Sequence, residues 1–172
     1  MIIGNPDCFA VIVDVVESWN VDKSFQNGIL FLAVGSEIFP KEIQSATLSY
    51  EFAELTESLK NIPVDKEIFS MPTEKAYNEL HNLVYPDDPV DWYIDNDYRY
   101  SISTPSFYDH NYLVFAISNG EKIRILAARP DYCKEESRDI LEGVKITETF
   151  IDVSELNDII DKLSVIDIRR DL

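Results

Sequence analysis

Tyr112-Leu113-Val114-Phe115-Ala116-Ile117-Ser118-Asn119-Gly120-Glu121-Lys122-Ile123-Arg124-Ile125-Leu126-Ala127-Ala128 holds two apolar runs on either side of an Asn-Gly pair. The pattern reads as a β-hairpin, with Asn119 and Gly120 as the two positive-φ residues of a type I′ turn. Lys122 and Arg124 alternate with Ile123 and Ile125, which predicts one wet face on the second strand. An antiparallel hairpin here has to be reconciled with what flanks it. After it, residues 144–151 read as another strand. Ser154 is placed to cap a last helix through Leu163, with Leu156, Ile159, Ile160 and Leu163 inward. Before it, residues 98–103 alternate and also read as a strand.

Further back the period changes. Phe52, Leu55 and Leu59 recur at helical spacing over residues 50–60, with Glu51, Glu54 and Glu57 between them facing water. That helix should stop before Pro63. A second helix follows Pro72, capped by Thr73, with Ala76, Leu80 and Leu83 on its inner face and Tyr77 and Val84 beside them. It ends before Pro86. Nearer the start, residues 9–16 and 29–34 read as buried strands, with turns at Asn27-Gly28 and Gly35-Ser36. Asp14 interrupts the first of them and is expected to be buried against a cation such as Arg124 or Arg129. The order is strands, two helices, strands, one helix. Regular β-α-β alternation is absent, which argues against a doubly wound parallel sheet. The expected architecture is α+β: a mainly antiparallel sheet with about three helices on a face or edge, one domain over residues 1–172.

Charge narrows the function. The chain carries 32 acidic and 15 basic side chains, a formal net charge of −17. With 45% apolar and 12% aromatic residues, that charge sits on a folded protein rather than a disordered tail. The densest stretch is Pro86-Asp87-Asp88-Pro89-Val90-Asp91-Trp92-Tyr93-Ile94-Asp95-Asn96-Asp97-Tyr98, which has no cation. Such a surface repels nucleic acid, because phosphate binding requires Lys and Arg to displace counterions. It attracts a basic protein and accelerates the encounter. Asp87, Asp88, Asp91, Trp92, Asp95 and Asp97 are therefore the expected contact residues, the ring supplying area and the carboxylates steering.

Catalytic patterns do not emerge. There is no Gly-rich phosphate loop, no Cys-x-x-Cys pair and no His-Glu-x-x-His helix. His81 and His110 lack ligand-spaced partners and read as structural or solvated. An EF-hand loop started at Asp91 would put Tyr93 third and Asn96 sixth, and the pattern fails. Neither cofactor nor metal is expected, and no small-molecule substrate. Cys8 reads as a small buried hydrophobe, and Cys8 and Cys133 together suggest no disulfide framework. The start of the chain lacks a signal-peptide pattern, and no apolar run approaches the roughly 20 residues of a membrane span. A soluble, cytoplasmic protein is expected.

Several stretches together resemble one family. They are Met1-Ile2-Ile3-Gly4-Asn5-Pro6, Phe9-Ala10-Val11-Ile12-Val13-Asp14-Val15-Val16-Glu17-Ser18-Trp19-Asn20, Asn27-Gly28-Ile29-Leu30, Phe39-Pro40-Lys41-Glu42-Ile43, Ile94-Asp95-Asn96-Asp97-Tyr98-Arg99, Ser118-Asn119-Gly120-Glu121-Lys122-Ile123-Arg124-Ile125-Leu126 and Lys134-Glu135-Glu136-Ser137-Arg138. In that order they resemble the immunity 42 family, over nearly the whole chain. The resemblance implies a non-enzymatic antitoxin of bacterial polymorphic toxin and contact-dependent growth inhibition systems, whose partner is the C-terminal domain of a cognate toxin. It carries over no catalytic residues. Nuclease toxins have cationic clefts, and an acidic inhibitor would suit one. Two other readings stand beside it: an acidic DNA-mimic regulator of a host nucleic-acid-binding protein, and a small hydrolase using Cys or carboxylate chemistry.

Overall fold

The computed structural model describes residues 1–20, 25–86, 96–131, 141 and 143–166. The first sheet is antiparallel, with β1 (Ile2–Asn5), β2 (Phe9–Val15), β3 (Asn27–Val34) and β4 (Glu37–Phe39) side by side. β5 (Ala46–Thr47) pairs with the start of β3. Register puts Ile3, Val11, Leu32 and Phe39 in one inward row, and all four are buried. The neighbouring row, Ile2, Ile12 and Phe31, points the other way. Gly28 is required where this sheet meets the first helix. A Cβ there would lie 2.1 Å from the Asp14 carbonyl oxygen and 2.6 Å from Leu48 Cδ1.

The hairpin anticipated at residues 112–128 exists, but it founds a second sheet. β6 (Leu113–Ser118), β7 (Lys122–Ala128) and β8 (Thr147–Asp152) run antiparallel, apart from the first sheet. Among the described residues, three long helices, α1 (Leu48–Lys60), α3 (Thr73–Val84) and α5 (Val153–Val165), and two short ones, α2 (Lys66–Ser70) and α4 (Pro105–Tyr108), complete the mixed α+β fold. The described residues form two apolar cores. The larger joins the inward row of the first sheet to Val114, Ala116, Ile125 and Ala127 of the second, closed by Phe52, Leu55 and Leu59 of α1 and Leu156, Ile159 and Leu163 of α5. The smaller lies on the opposite face of the second sheet, where Phe115, Ile117 and Leu126 pack under Ile68 of α2 and Ala76, Tyr77 and Leu80 of α3.

Several expectations are corrected. The turn is not type I′: Gly120 has φ 98° and Asn119 does not have positive φ. Instead the Asn119 side chain accepts the backbone N–H groups of Glu121 and Lys122, at 2.9 and 2.8 Å. Gly thus takes the first central position, as in type II′ turns. Residues 98–103 are only partly extended. Asp97 accepts the Arg99 N–H and winds Tyr98–Tyr100 into a 3-10 turn before Ser101 bridges to Phe115. Thr73 caps nothing; its hydroxyl reaches Glu148 at 3.0 Å. The last helix starts behind Asp152, whose N–H donates to Glu155 Oε2 at 3.0 Å, rather than behind Ser154.

The expected wet face of β7 is covered. Arg124 is 3% exposed, with Nε donating to Glu148 and Nη1 to the carbonyls of Phe69 and Met71. Asp14 is not buried beside a cation; it lies exposed on the outward row opposite Ile29. Arg129 pairs with Glu42 instead. Glu51, expected in solvent, is 4% exposed. Cys8 is half-buried at the β1–β2 turn, His81 is buried against Tyr85 on α3, and Cys133 lies outside the described residues.

Candidate docking surface

Glu54, Glu57 and Ser58 follow one another along α1, with Asn61 just past its C-terminal end, on the side away from Phe52 and Leu59 and one turn beyond Tyr50. They face a second wall made by Tyr98, Arg99, Ser101, Ser103 and Tyr108. The walls enclose an open cleft of about 460 Å³, whose lining includes Glu54, Glu57, Tyr98 and Tyr108.

Glu51 fixes the spacing of these walls. Its Oε2 accepts from Thr104 Oγ1 at 2.6 Å, Ser106 Oγ at 2.5 Å and Ser106 N–H at 3.2 Å. Oε1 accepts the Thr47 N–H at 3.2 Å. One buried carboxylate thereby ties the start of α1 to the start of α4, where Thr104 and Pro105 initiate the helix. On the other wall, Tyr108 Oη and Ser101 Oγ are 2.6 Å apart, and burial pushes the Tyr108 phenol up. Tyr85 meets Tyr98 and Tyr108 edge-on, at 6.3 and 6.4 Å between centroids.

The electrostatics of the cleft are one-sided. The Tyr50 hydroxyl donates to Glu54, and that bond, with the carboxylate charge, raises the phenol's pKa. Asn61 donates to Glu57 at 2.8 Å, and Lys60 stands 4.0 Å from the same carboxylate. Arg99 is already engaged by Asp97 through two bonds of 2.8 and 2.6 Å, which hold the Asp97 carboxyl below its usual range. Among the described residues, no close, well-aligned cation cancels the charge of Glu54 and Glu57.

Among the residues expected from sequence, Asp97 is placed. Its N–H donates to the Leu83 carbonyl at 2.7 Å, while Asn96 Nδ2 donates to the Val84 carbonyl at 3.0 Å. Asn96-Asp97 is thus fastened beside Tyr85-Pro86, at the C-terminal end of α3 and next to the Tyr98 wall of the cleft. Asp87, Asp88, Asp91, Trp92 and Asp95 lie outside the described residues. Sequence reasoning missed Glu54, Glu57, Tyr50 and Tyr108 as surface partners of this stretch. The helical period exposed the two glutamates, but nothing local links α1 to Tyr98 and Tyr108.

A contrasting surface lies along the β4 edge of the first sheet. There Glu37 is held by Lys145 at 2.6 Å and Lys41 at 2.7 Å, and Glu42 by Arg129 at 3.0 Å. The two lysine bonds lower the Glu37 pKa from 4.5 to about 2. A carboxyl more acidic when folded stabilises the fold fully above pH 4.5 and loses that contribution as pH falls towards 2. Replacing Glu37 with Gln should therefore flatten the stability profile in this window and leave it unchanged between pH 6 and 8. With solvent screening the effect is below about 1 kcal/mol. Chemical denaturation at stepped pH reads it, and an unchanged acid limb would contradict it.

Among the described residues, no group of three His, Cys, Asp or Glu side chains is placed to hold a metal, and no helix is long and apolar enough to cross a membrane. Residues 1–166 match the family described as immunity protein 42. The fold is similar to the crystal structure of CdiI from Burkholderia dolosa AUO158, with 25% sequence identity, 95% of this chain and 98% of that chain covered, and a TM-score of 0.74. No curated protein matches the chain.

Proposed function

The chain belongs to the immunity protein 42 family, and from that premise we propose how it protects a cell: it binds a cognate toxin domain stoichiometrically through the acidic cleft. It is an immunity protein of contact-dependent growth inhibition, the role its family and its likeness to CdiI support. The finer reading concerns the partner and the surface. The observation that carries it is the cleft itself, whose α1 wall presents Glu54 and Glu57 opposite Tyr98 and Tyr108. Carboxylates there steer a cationic partner, and Tyr50, Tyr98 and Tyr108 supply rigid contact area. Asp87, Asp88, Asp91, Trp92, Asp95 and Asp97 extend the same surface in this reading. The partner is the C-terminal domain of the toxin, a nuclease whose phosphate-binding groove is basic. The immunity protein does no chemistry and works in the cytoplasm, where incoming toxin is met.

Co-expression with the toxin domain encoded beside this chain tests the function. Cells survive if the reading holds; death with both proteins soluble sinks it. The surface is tested separately by Glu54→Lys combined with Glu57→Lys. Association with the toxin should slow by roughly tenfold or more at low salt. The difference should shrink as added salt shortens the Debye length. An unchanged on-rate would move the interface off α1 while leaving the immunity function intact.

A further inference from the structure

Between α2 and the β7–β8 pair lies an open depression of about 600 Å³, whose lining includes Lys66, Phe69, Glu121, Arg124 and Phe150. It shares no lining residue with the acidic cleft. Arg124 is the most deeply buried of the five, at 3% exposed. A guanidinium carries five N–H donors. Nε gives its one to Glu148, and Nη1 gives its two to the carbonyls of Phe69 and Met71. The two on Nη2 find no acceptor among the described residues. Nor is Nη2 sealed from solvent, so these N–H groups open on the depression that Arg124 lines. A buried donor without a protein acceptor calls for one from outside.

The surroundings choose the chemistry of that acceptor. Glu148 already balances the Arg124 charge, so the cation left over is Lys66. Among the described residues, the lysine ion pairs are made by Lys41, Lys60, Lys122 and Lys145, and Lys66 has none. One carboxylate can accept from Nη2 with one oxygen and from the Lys66 ammonium with the other, both as charge-assisted bonds. Beside these donors the wall is aromatic. Phe150 is 45% exposed, meets Phe69 edge-on at 5.8 Å, and has Arg124 Cζ 5.6 Å from its centroid. An apolar ring attached to the carboxylate gains contact there. A bare, doubly charged anion gains nothing from the rings and meets Glu121 on the rim of a chain of net −17.

We propose that this depression binds a small aromatic carboxylate, its charged end on Arg124 Nη2 and Lys66 and its ring against Phe69 and Phe150. The site stands or falls independently of the toxin-docking cleft. Titration of the ¹⁵N-labelled full chain with benzoate at constant ionic strength tests it. The backbone amides of Phe69, Ser70, Asn119 and Phe150 should shift and saturate. Benzamide keeps the ring without the charge and should bind roughly tenfold more weakly. Arg124 stays unaltered in this test, because its other bonds hold α2. Lys66→Gln should weaken benzoate binding and Glu121→Gln should tighten it, both with an unchanged far-ultraviolet circular dichroism spectrum. Lys162→Gln, which removes a cation from α5, should leave binding as it was. Absence of saturable shifts at these amides overturns the proposal. So does benzamide binding as tightly as benzoate, which would make the depression merely apolar. Inorganic phosphate binding as tightly as benzoate would deny the rings their part, and equal weakening by Lys66→Gln and Lys162→Gln would reduce the effect to overall charge; either result also overturns it.

Discussion

Replacing Arg124 with methionine is expected to destabilise the fold by about 3–5 kcal/mol, the range seen when one partner of a buried ion pair is removed. The guanidinium does two jobs. Its Nε donates to Glu148 Oε1 at 2.5 Å, and its Nη1 donates to the carbonyls of Phe69 and Met71 at 2.8 and 2.7 Å. Those carbonyls lie at the C-terminal end of α2, where no further helical N–H can reach them. Methionine restores the apolar stem but leaves the carbonyls unsatisfied and Glu148 half-buried with only the Thr73 hydroxyl. Arg124→Lys keeps the charge and loses the fork, so its cost should fall between. Urea denaturation at neutral pH measures both. A loss below about 1 kcal/mol for the methionine variant would mean that water reaches these groups and satisfies them.

Glu51→Ala is the second large effect, about 2–4 kcal/mol, because buried donors left without an acceptor lose their solvation uncompensated. Four donors converge on this carboxylate from Thr47, Thr104 and Ser106. Glu51→Gln should cost less. Its carbonyl oxygen can take the place of Oε2 and keep the three bonds to Thr104 and Ser106, while the amide opposes only the Thr47 N–H. The two variants also separate stability from site geometry. Glu51 joins α1 to the segment carrying Tyr108, so at a temperature where the alanine variant is still folded, toxin association should be slower than normal. Normal association with reduced stability would show that the cleft keeps its shape without this tie.

The larger periodic elements were legible because their residues report their own environment. Phe52, Leu55 and Leu59 mark α1 at its observed inner face, and the runs around Asn119-Gly120 mark β6 and β7. What stayed hidden was information held by distant residues. Glu51 sits between apolar positions like any solvated glutamate, and its ligands Thr104 and Ser106 are 53 and 55 residues away. Arg124 looked wet because it alternates with isoleucines, yet α2 covers it, and α2 and α4 are too short to show a period. Asp14 was misread in the opposite sense: an acid in an apolar strand suggested burial, but the outward row of that strand is apolar too. One sheet was expected where two form, since nothing in the hairpin's own sequence says whether it joins the strands before α1.

Tyr85-Pro86 and Asn96-Asp97 are fastened at the same end of α3, and that closure has an evolutionary reading. When both ends of an insertion are held together by the scaffold, doubling its length adds only about 0.6 kcal/mol of chain entropy. The sequence joining these anchors can therefore drift in length and composition like an interchangeable cassette, so that a lineage can follow a changing adversary without redesigning the body that carries it.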